Sequence, residues 1–175
     1  PYTLTIYPTG GGSCPNECDN SSNVFCTEGY SILNNAISNI YLQANIINLE
    51  ASISLQPNIG ITFASCSGGA STANLTASIT TNNGYVTFDS NMQVVLGTAV
   101  TIATSGGDIT FGNTVNGAQT LIIDADDGIV SFNGTVGGST KLTSLQVTSA
   151  SSVVFAANVS TTDTIAITPA ITLNG

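Results

Sequence analysis

A large apolar residue closes a short alternating stretch at Leu42, Phe63, Phe88, Phe111, Phe132, Phe155 and Leu173, at steps of 21, 25, 23, 21, 23 and 18 residues. This phased return constrains the fold more than any other feature of the chain. A period of about 20–25 residues marks a chain wound into stacked repeats. Each closing residue ends a pair of the form X-x-X, as in Ile61/Phe63, Val86/Phe88, Ile109/Phe111 and Val130/Phe132. Further pairs fall between them: Ile47/Leu49, Ile53/Leu55, Val94/Leu96, Val100/Ile102, Leu121/Ile123, Leu145/Val147 and Ile165/Ile167. Alternate residues of a strand share one face, so each pair reads as a short strand with one buried side. Turn signals separate them: Asn83-Gly84, Gly106-Gly107, Asn116-Gly117, Asn133-Gly134 and Gly137-Gly138.

The expected fold is all-β: a right-handed parallel β-helix, or β-solenoid, of about seven coils with roughly 21–23 residues in each. A β-sandwich or jelly roll also uses Asn-Gly turns, but it needs longer strands and imposes no phase on the large residue. The repeat is plainest where residues 108–128 are followed by a second copy at an offset of 21. The copies match at Phe111/Phe132, Thr114/Thr135, Val115/Val136, Gly117/Gly138 and Leu121/Leu142, and the offset reads as the coil circumference. Helical apolar spacing occurs only in Ser31 to Ile40, where one or two turns are expected to cap the first coil.

Residues 31–175 carry the repeat, and residues 1–30 differ from it. The leading PYTLTIY alternates like a strand and is followed by the flexible TGGGS. Three of the four cysteines, Cys14, Cys18 and Cys26, fall in this segment, and Cys66 lies within the repeats. An even number of cysteines in a secretion-like composition favours two disulfides, with three pairings open. The preferred set joins two of the N-terminal cysteines to each other and the third to Cys66, stapling a cap onto the coils. Zinc is the weaker reading, because the chain has no His to complete a site.

Composition removes several classes of function. Ten acidic residues stand against Lys141 alone, giving a net charge of −9. Such a chain cannot neutralise phosphates, so neither nucleic acid nor an anionic membrane surface is an expected partner. No apolar run is long enough to span a bilayer. Ser and Thr number 45 and supply the polar outer face instead of charge. A Ser/His/Asp triad is excluded by the lack of His. Paired aspartates can cleave glycosidic bonds. Here, however, no Trp stacks a sugar, no Arg holds a uronate, and the expectation is no enzyme.

Asp124, Asp126 and Asp127, in DADDG, form the densest polar cluster. Alternating aspartates before a Gly can supply oxygen ligands to Ca²⁺. The preferred reading is a solvated turn in which Gly128 takes a positive φ, since neither EF-hand nor GGxGxD spacing is present. No other cofactor is expected. Threonine rows raise an ice-binding alternative, but their phase wanders with coil length, and strand propensity accounts for them. The sequons at Asn20, Asn74, Asn133 and Asn158 are no more than this composition yields by chance.

The ends carry the sharper expectation. Ile171/Leu173 opens a coil that the sequence does not complete, and Tyr2, Leu4 and Ile6 line a strand at the other end. A raw sheet edge calls for a cover, so these residues are the candidate assembly edges. The expected partners are a continuation of the chain or further copies of it, stacked head to tail.

In ITFGNTVNGAQTLIIDADDGIVSFNGTVGGSTKLTSLQV and SILNNAISNIYLQANIINLEASISL, the chain resembles the filamentous-haemagglutinin-like adhesins, giant bacterial surface proteins of right-handed parallel β-helix. The resemblance covers about residues 31–175 and rests on repeat grammar. It implies an extracellular or cell-surface protein, mostly stalk or filament. The expected function is a non-enzymatic building unit of such a fibre. The alternative is a module that binds a glycan or another host or environmental surface.

Overall fold

The computed structural model describes residues 2–6, 24–26, 37–65 and 69–173, with side chains described from Ser38 onward within those ranges. It begins with β1 (Tyr2–Ile6), β2 (Val24–Cys26), β3 (Ile37–Gln43), β4 (Ile46–Leu49), β5 (Ile53–Pro57) and β6 (Gly60–Ala64). Next come β7 (Ser71–Leu75), β8 (Ile79–Asn82), β9 (Val86–Phe88), β10 (Met92–Leu96), β11 (Val100–Ala103), β12 (Ile109–Phe111) and β13 (Val115–Asn116). The last are β14 (Thr120–Asp124), β15 (Ile129–Phe132), β16 (Ser144–Ser149), β17 (Ser152–Phe155), β18 (Ile165–Ile167) and β19 (Ile171–Leu173). No helix occurs among the described residues. The helical turns expected over Ser31 to Ile40 give way to β3 from Ile37 onward. There Ile40 and Leu42 are buried two apart, which a strand satisfies and a helix does not.

The strands form three parallel sheets. Sheet A runs β1-β3-β6-β9-β12-β15-β17-β19, sheet B β13-β10-β7-β4-β2, and sheet C β18-β16-β14-β11-β8-β5. From β3 to β15 the chain visits A, B and C in turn, and in the last coils the single bridges of Val136 and Val159 continue the sheet B file, which makes a β-solenoid of about 6 turns. The count is one below the seven coils expected. Seven phased residues bound six intervals, and β19 only opens the next turn. All seven stand in one lateral file: Leu42 pairs with Phe63, Phe63 with Phe88, Phe88 with Phe111, Phe111 with Phe132, Phe132 with Phe155, and Phe155 with Leu173.

Parallel sheets are usually covered on both faces. Here the outer face meets water, so the strands alternate in burial, as in Met92–Leu96 and Val100–Ala103. That one-sided burial made the X-x-X signal clean. The interior is filled by side chains from all three sheets, including Ile47, Leu49, Val94, Ile102, Leu121 and Leu145, all fully buried. The five phenylalanines of this file, Phe63 to Phe155, stack along the axis with centroids 4.7, 5.3, 4.8 and 5.0 Å apart and interplanar angles of 15°, 7°, 3° and 7°. Those distances match the roughly 4.8 Å between hydrogen-bonded strands, so coil stacking and ring stacking share one repeat.

Coil length varies at the corners, leaving the strands in register. Leu42 pairs with Phe63, 21 residues on, whereas Ile47 pairs with Ala73, 26 on; the extra residues enter between sheets A and B. The 21-residue match of the two central copies holds for Ile109/Val130, Phe111/Phe132 and Val115/Val136. It fails at Leu121/Leu142, because Leu121 pairs with Leu145. The Gly137–Lys141 stretch adds residues after sheet B, and Leu142 instead bridges Thr161.

The two described strands ahead of residue 31 extend the same sheets: β1 lies on β3 and β2 on β4. Cys14, Cys18 and Cys66 lie outside the described residues, as does the side chain of Cys26, and so does the expected pairing of the four.

Candidate assembly edge

Polar side chains link neighbouring coils both at the corners and along sheet B. Thr81 and Thr104 occupy equivalent buried positions at the corner from sheet C to sheet A, and their hydroxyls donate to the carbonyls of Gly84 and Gly107. Asn83 donates through Nδ2 to Asn58 Oδ1 at 2.7 Å, one coil away, and both residues have positive φ (62° and 63°). On sheet B, Asn74 Nδ2 donates to Asn48 Oδ1 at 2.8 Å. Tyr85 crosses Gly60 to donate its hydroxyl to Asn39 Oδ1 at 2.9 Å, tying together coils 46 residues apart in sequence. Sequence reasoning missed these links. Their only signal is recurrence of Asn near the coil period, which shows once the register is known.

DADDG turns the same corner one coil later. Asp126 takes the positive φ, at 48°, and Gly128 does not, contrary to the expectation. Gly128 is needed for a different reason: a Cβ there would lie 2.2 Å from the carbonyl oxygen of Gly107. Among the described residues, no three His, Cys, Asp or Glu side chains gather in a metal-holding group, and Asp124, Asp126 and Asp127 are not brought together as one. Asp124 ends β14 beside Ala103 and Ser149, and its Oδ1 is buried without a hydrogen-bond partner. An unpaired buried acceptor costs about 1–3 kcal/mol. Asp124→Thr should therefore raise stability by about 1 kcal/mol in urea titration, and a loss of stability would show that the carboxylate has a partner in solution.

The apolar edge is at the other end of the file. Within the stack, Ile109 and Phe111 are fully buried, but at the same register positions in the last coil Ile171 is 50% exposed and Leu173 77%. Ile165 on β18 is 47% exposed. β19 pairs with β17 on one side only, and β18 with β16 on one side only. The three side chains thus carry the inward pattern of the coils without a coil above them. Burying a Leu or Ile fully stabilises by about 1.5–3 kcal/mol, so this edge gains several kcal/mol from a cover.

The edge also has a defined backbone polarity. Ile61, Val86 and Val153 donate forward to Tyr85, Asp108 and Ala170 of the next coil. Gly112, Asn133 and Ala156 donate back to Phe88, Phe111 and Phe132. Residues whose side chains point inward therefore turn their N–H and C=O toward the following coil. By that register, Ile171 and Leu173 present theirs to the open edge, and Thr172 is spent on β17.

At the opposite end, β1 closes sheet A, with Leu4, Thr5 and Ile6 at the register positions of Ile40, Tyr41 and Leu42. No helix of the described residues is long and apolar enough to cross a membrane. No protein-family model, curated protein or solved structure matches the chain.

Proposed function

We propose that the protein is a non-enzymatic structural unit of an extracellular β-solenoid fibre or adhesin stalk, in which the coil stack continues past β19. The observation that carries this reading is the apolar, hydrogen-bonding edge formed by Ile165, Ile171 and Leu173. The solenoid supplies length, and about 34 Å of it follows from eight strands of sheet A at roughly 4.8 Å spacing. The lack of His, Arg and Trp supports a role without catalysis, and four cysteines paired as disulfides would suit an oxidising exterior. The likeness of the repeat grammar to filamentous-haemagglutinin-like adhesins supports the setting of a bacterial surface. The outer Ser, Thr and Asn rows would then face solvent or a bound surface.

Light scattering and negative-stain microscopy test the reading. The native chain should form rods whose length grows with protein concentration, and growth should be faster in 0.15 M salt than in dilute buffer, because screening weakens repulsion between units of net charge −9. Leu173→Asp places a charge at the junction and should abolish growth. Native chain that stays monomeric to millimolar concentration, indistinguishable from Leu173→Asp, would overturn the fibre reading. Glycan binding by such a monomer would favour the adhesive module instead.

A further inference from the structure

We infer that Asn133 is a site of spontaneous deamidation in the folded chain, where the backbone nitrogen of Gly134 displaces ammonia from the side-chain amide. The inference goes beyond the fibre reading and depends on neither end of the chain.

Three Asn-Gly steps lie among the described residues: Asn83-Gly84, Asn116-Gly117 and Asn133-Gly134. Glycine leaves the attacking nitrogen unshielded by a Cβ, so the three are chemically alike in an unfolded chain. The fold separates them. Asn116 is buried, and its Oδ1 accepts the N–H groups of Ser139 and Thr140 at 3.0 and 3.3 Å. The Gly117 N–H beside it donates to Thr140 C=O at 3.2 Å, which removes the nucleophile as well. Asn83 is exposed, but its Nδ2, the leaving group, donates to Asn58 Oδ1 at 2.7 Å. Gly84 after it is buried, with the Ile59 carbonyl where a Cβ would stand.

Asn133 has neither restraint. Its backbone N–H anchors it to Phe111 C=O at 2.9 Å. Its exposed side chain and the half-buried Gly134 N–H make no hydrogen bond among the described residues. The same corner one coil earlier gives the contrast. There Asn113 donates through Nδ2 to Ser90 C=O at 3.0 Å, its Oδ1 accepts the Thr114 N–H at 2.8 Å, and threonine stands where glycine would.

In the reaction a bond forms from Gly134 N to Asn133 Cγ and the Cγ–Nδ2 bond breaks. Ammonia leaves with the proton that Gly134 gives up. Water then opens the cyclic imide. Attack at Cγ leaves a normally linked aspartate, and attack at the backbone carbonyl leaves a β-linked isoaspartate. Either product replaces a neutral amide by a carboxylate and adds one negative charge to the net −9. The corner from sheet A to sheet B thereby acidifies with the age of the chain.

The native chain, kept folded in mildly alkaline buffer at physiological temperature, tests this by fragmentation mass spectrometry of the intact protein. Asn133 should convert about tenfold faster than Asn83 or Asn116, the factor that about 1.4 kcal/mol of retained hydrogen bonding supplies. In heavy-oxygen water one labelled oxygen should enter at position 133 with each event. Unfolded in urea, the three steps should convert at nearly equal rates. Asn133→Gln keeps an amide whose longer side chain closes the ring poorly, and it should abolish the fast phase of ammonia release. A folded chain that keeps the Asn133 amide while the unfolded chain converts would overturn the inference. So would a fast phase that survives in Asn133→Gln, or an equal preference for position 133 in urea.

Discussion

Phe111→Ala should be among the most damaging single substitutions in the protein, lowering stability by about 3–5 kcal/mol. Phe111 is fully buried, and its ring stacks on Phe88 at 5.3 Å and on Phe132 at 4.8 Å. Truncation leaves a cavity on the axis and removes two ring contacts, each worth about 0.5–1.5 kcal/mol beyond burial. The geometry gives the site little means to collapse. The flanking rings are held at strand spacing by sheet A above and below, so the gap cannot close without breaking backbone hydrogen bonds.

The stack is quasi-one-dimensional, with each coil stabilised by its two neighbours. A defect in the middle weakens two interfaces at once and should separate the unfolding of the two halves. Phe155→Ala makes the comparison. Phe155 stacks only on Phe132, and the Leu173 beyond it is exposed. Its loss should cost about half as much. Guanidinium titrations should show a lower midpoint for both variants and a broader, two-step transition for Phe111→Ala alone. Equal shifts for the two would mean that the phenyl column is not a cooperative element.

Most of the fold was legible because one physical fact dominates it: a narrow prism with a dry axis needs an inward residue at the same place on every turn. The large residue is therefore repeated, and Leu42 through Leu173 could be read as a single file before any strand was placed. Coil number was misread by one because the file counts edges of turns and not turns. Leu121 was paired with the wrong partner because Leu142 happens to sit at offset 21, while the corner after Val136 had lengthened. Corners tolerate insertion without disturbing strand register, so their length is weakly encoded.

The candidate site was legible in part for the same reason. Exposure of Ile171 and Leu173 follows from their phase, since inward-type residues with no coil above them must meet water. The corner links between Asn58 and Asn83, and from Thr104 to Gly107, were not legible, because they depend on which residues become lateral neighbours. DADDG drew attention as a run of charge, yet its strongest constraint is steric and lies in the glycine that ends it.

That constraint leads to the second large effect. Gly107→Ala should cost about 3 kcal/mol and lower the melting temperature by roughly 6–12 °C. Its φ is not positive, so the cost does not come from backbone conformation. A Cβ at Gly107 would sit 2.2 Å from the carbonyl oxygen of Gly84 and 2.4 Å from its carbonyl carbon. Gly84 in turn would meet Ile59 O at 1.9 Å, and Gly128 would meet Gly107 O at 2.2 Å. Four successive coils thus touch backbone to backbone at one corner. Such contact cannot be relieved by a rotamer change; the coils must part, which strains the bonds of Val86 to Asp108 and Asn83 to Thr104 beside it. Gly97 is the control. A Cβ there would meet Thr76 Cγ2 at 2.7 Å, a side-chain methyl that can move, and the nearest backbone atom is Leu75 O at 3.7 Å. Gly97→Ala should therefore change stability by less than about 1 kcal/mol. A Gly107→Ala chain that melts with the native one would show that the coils stand further apart at this corner than backbone contact allows.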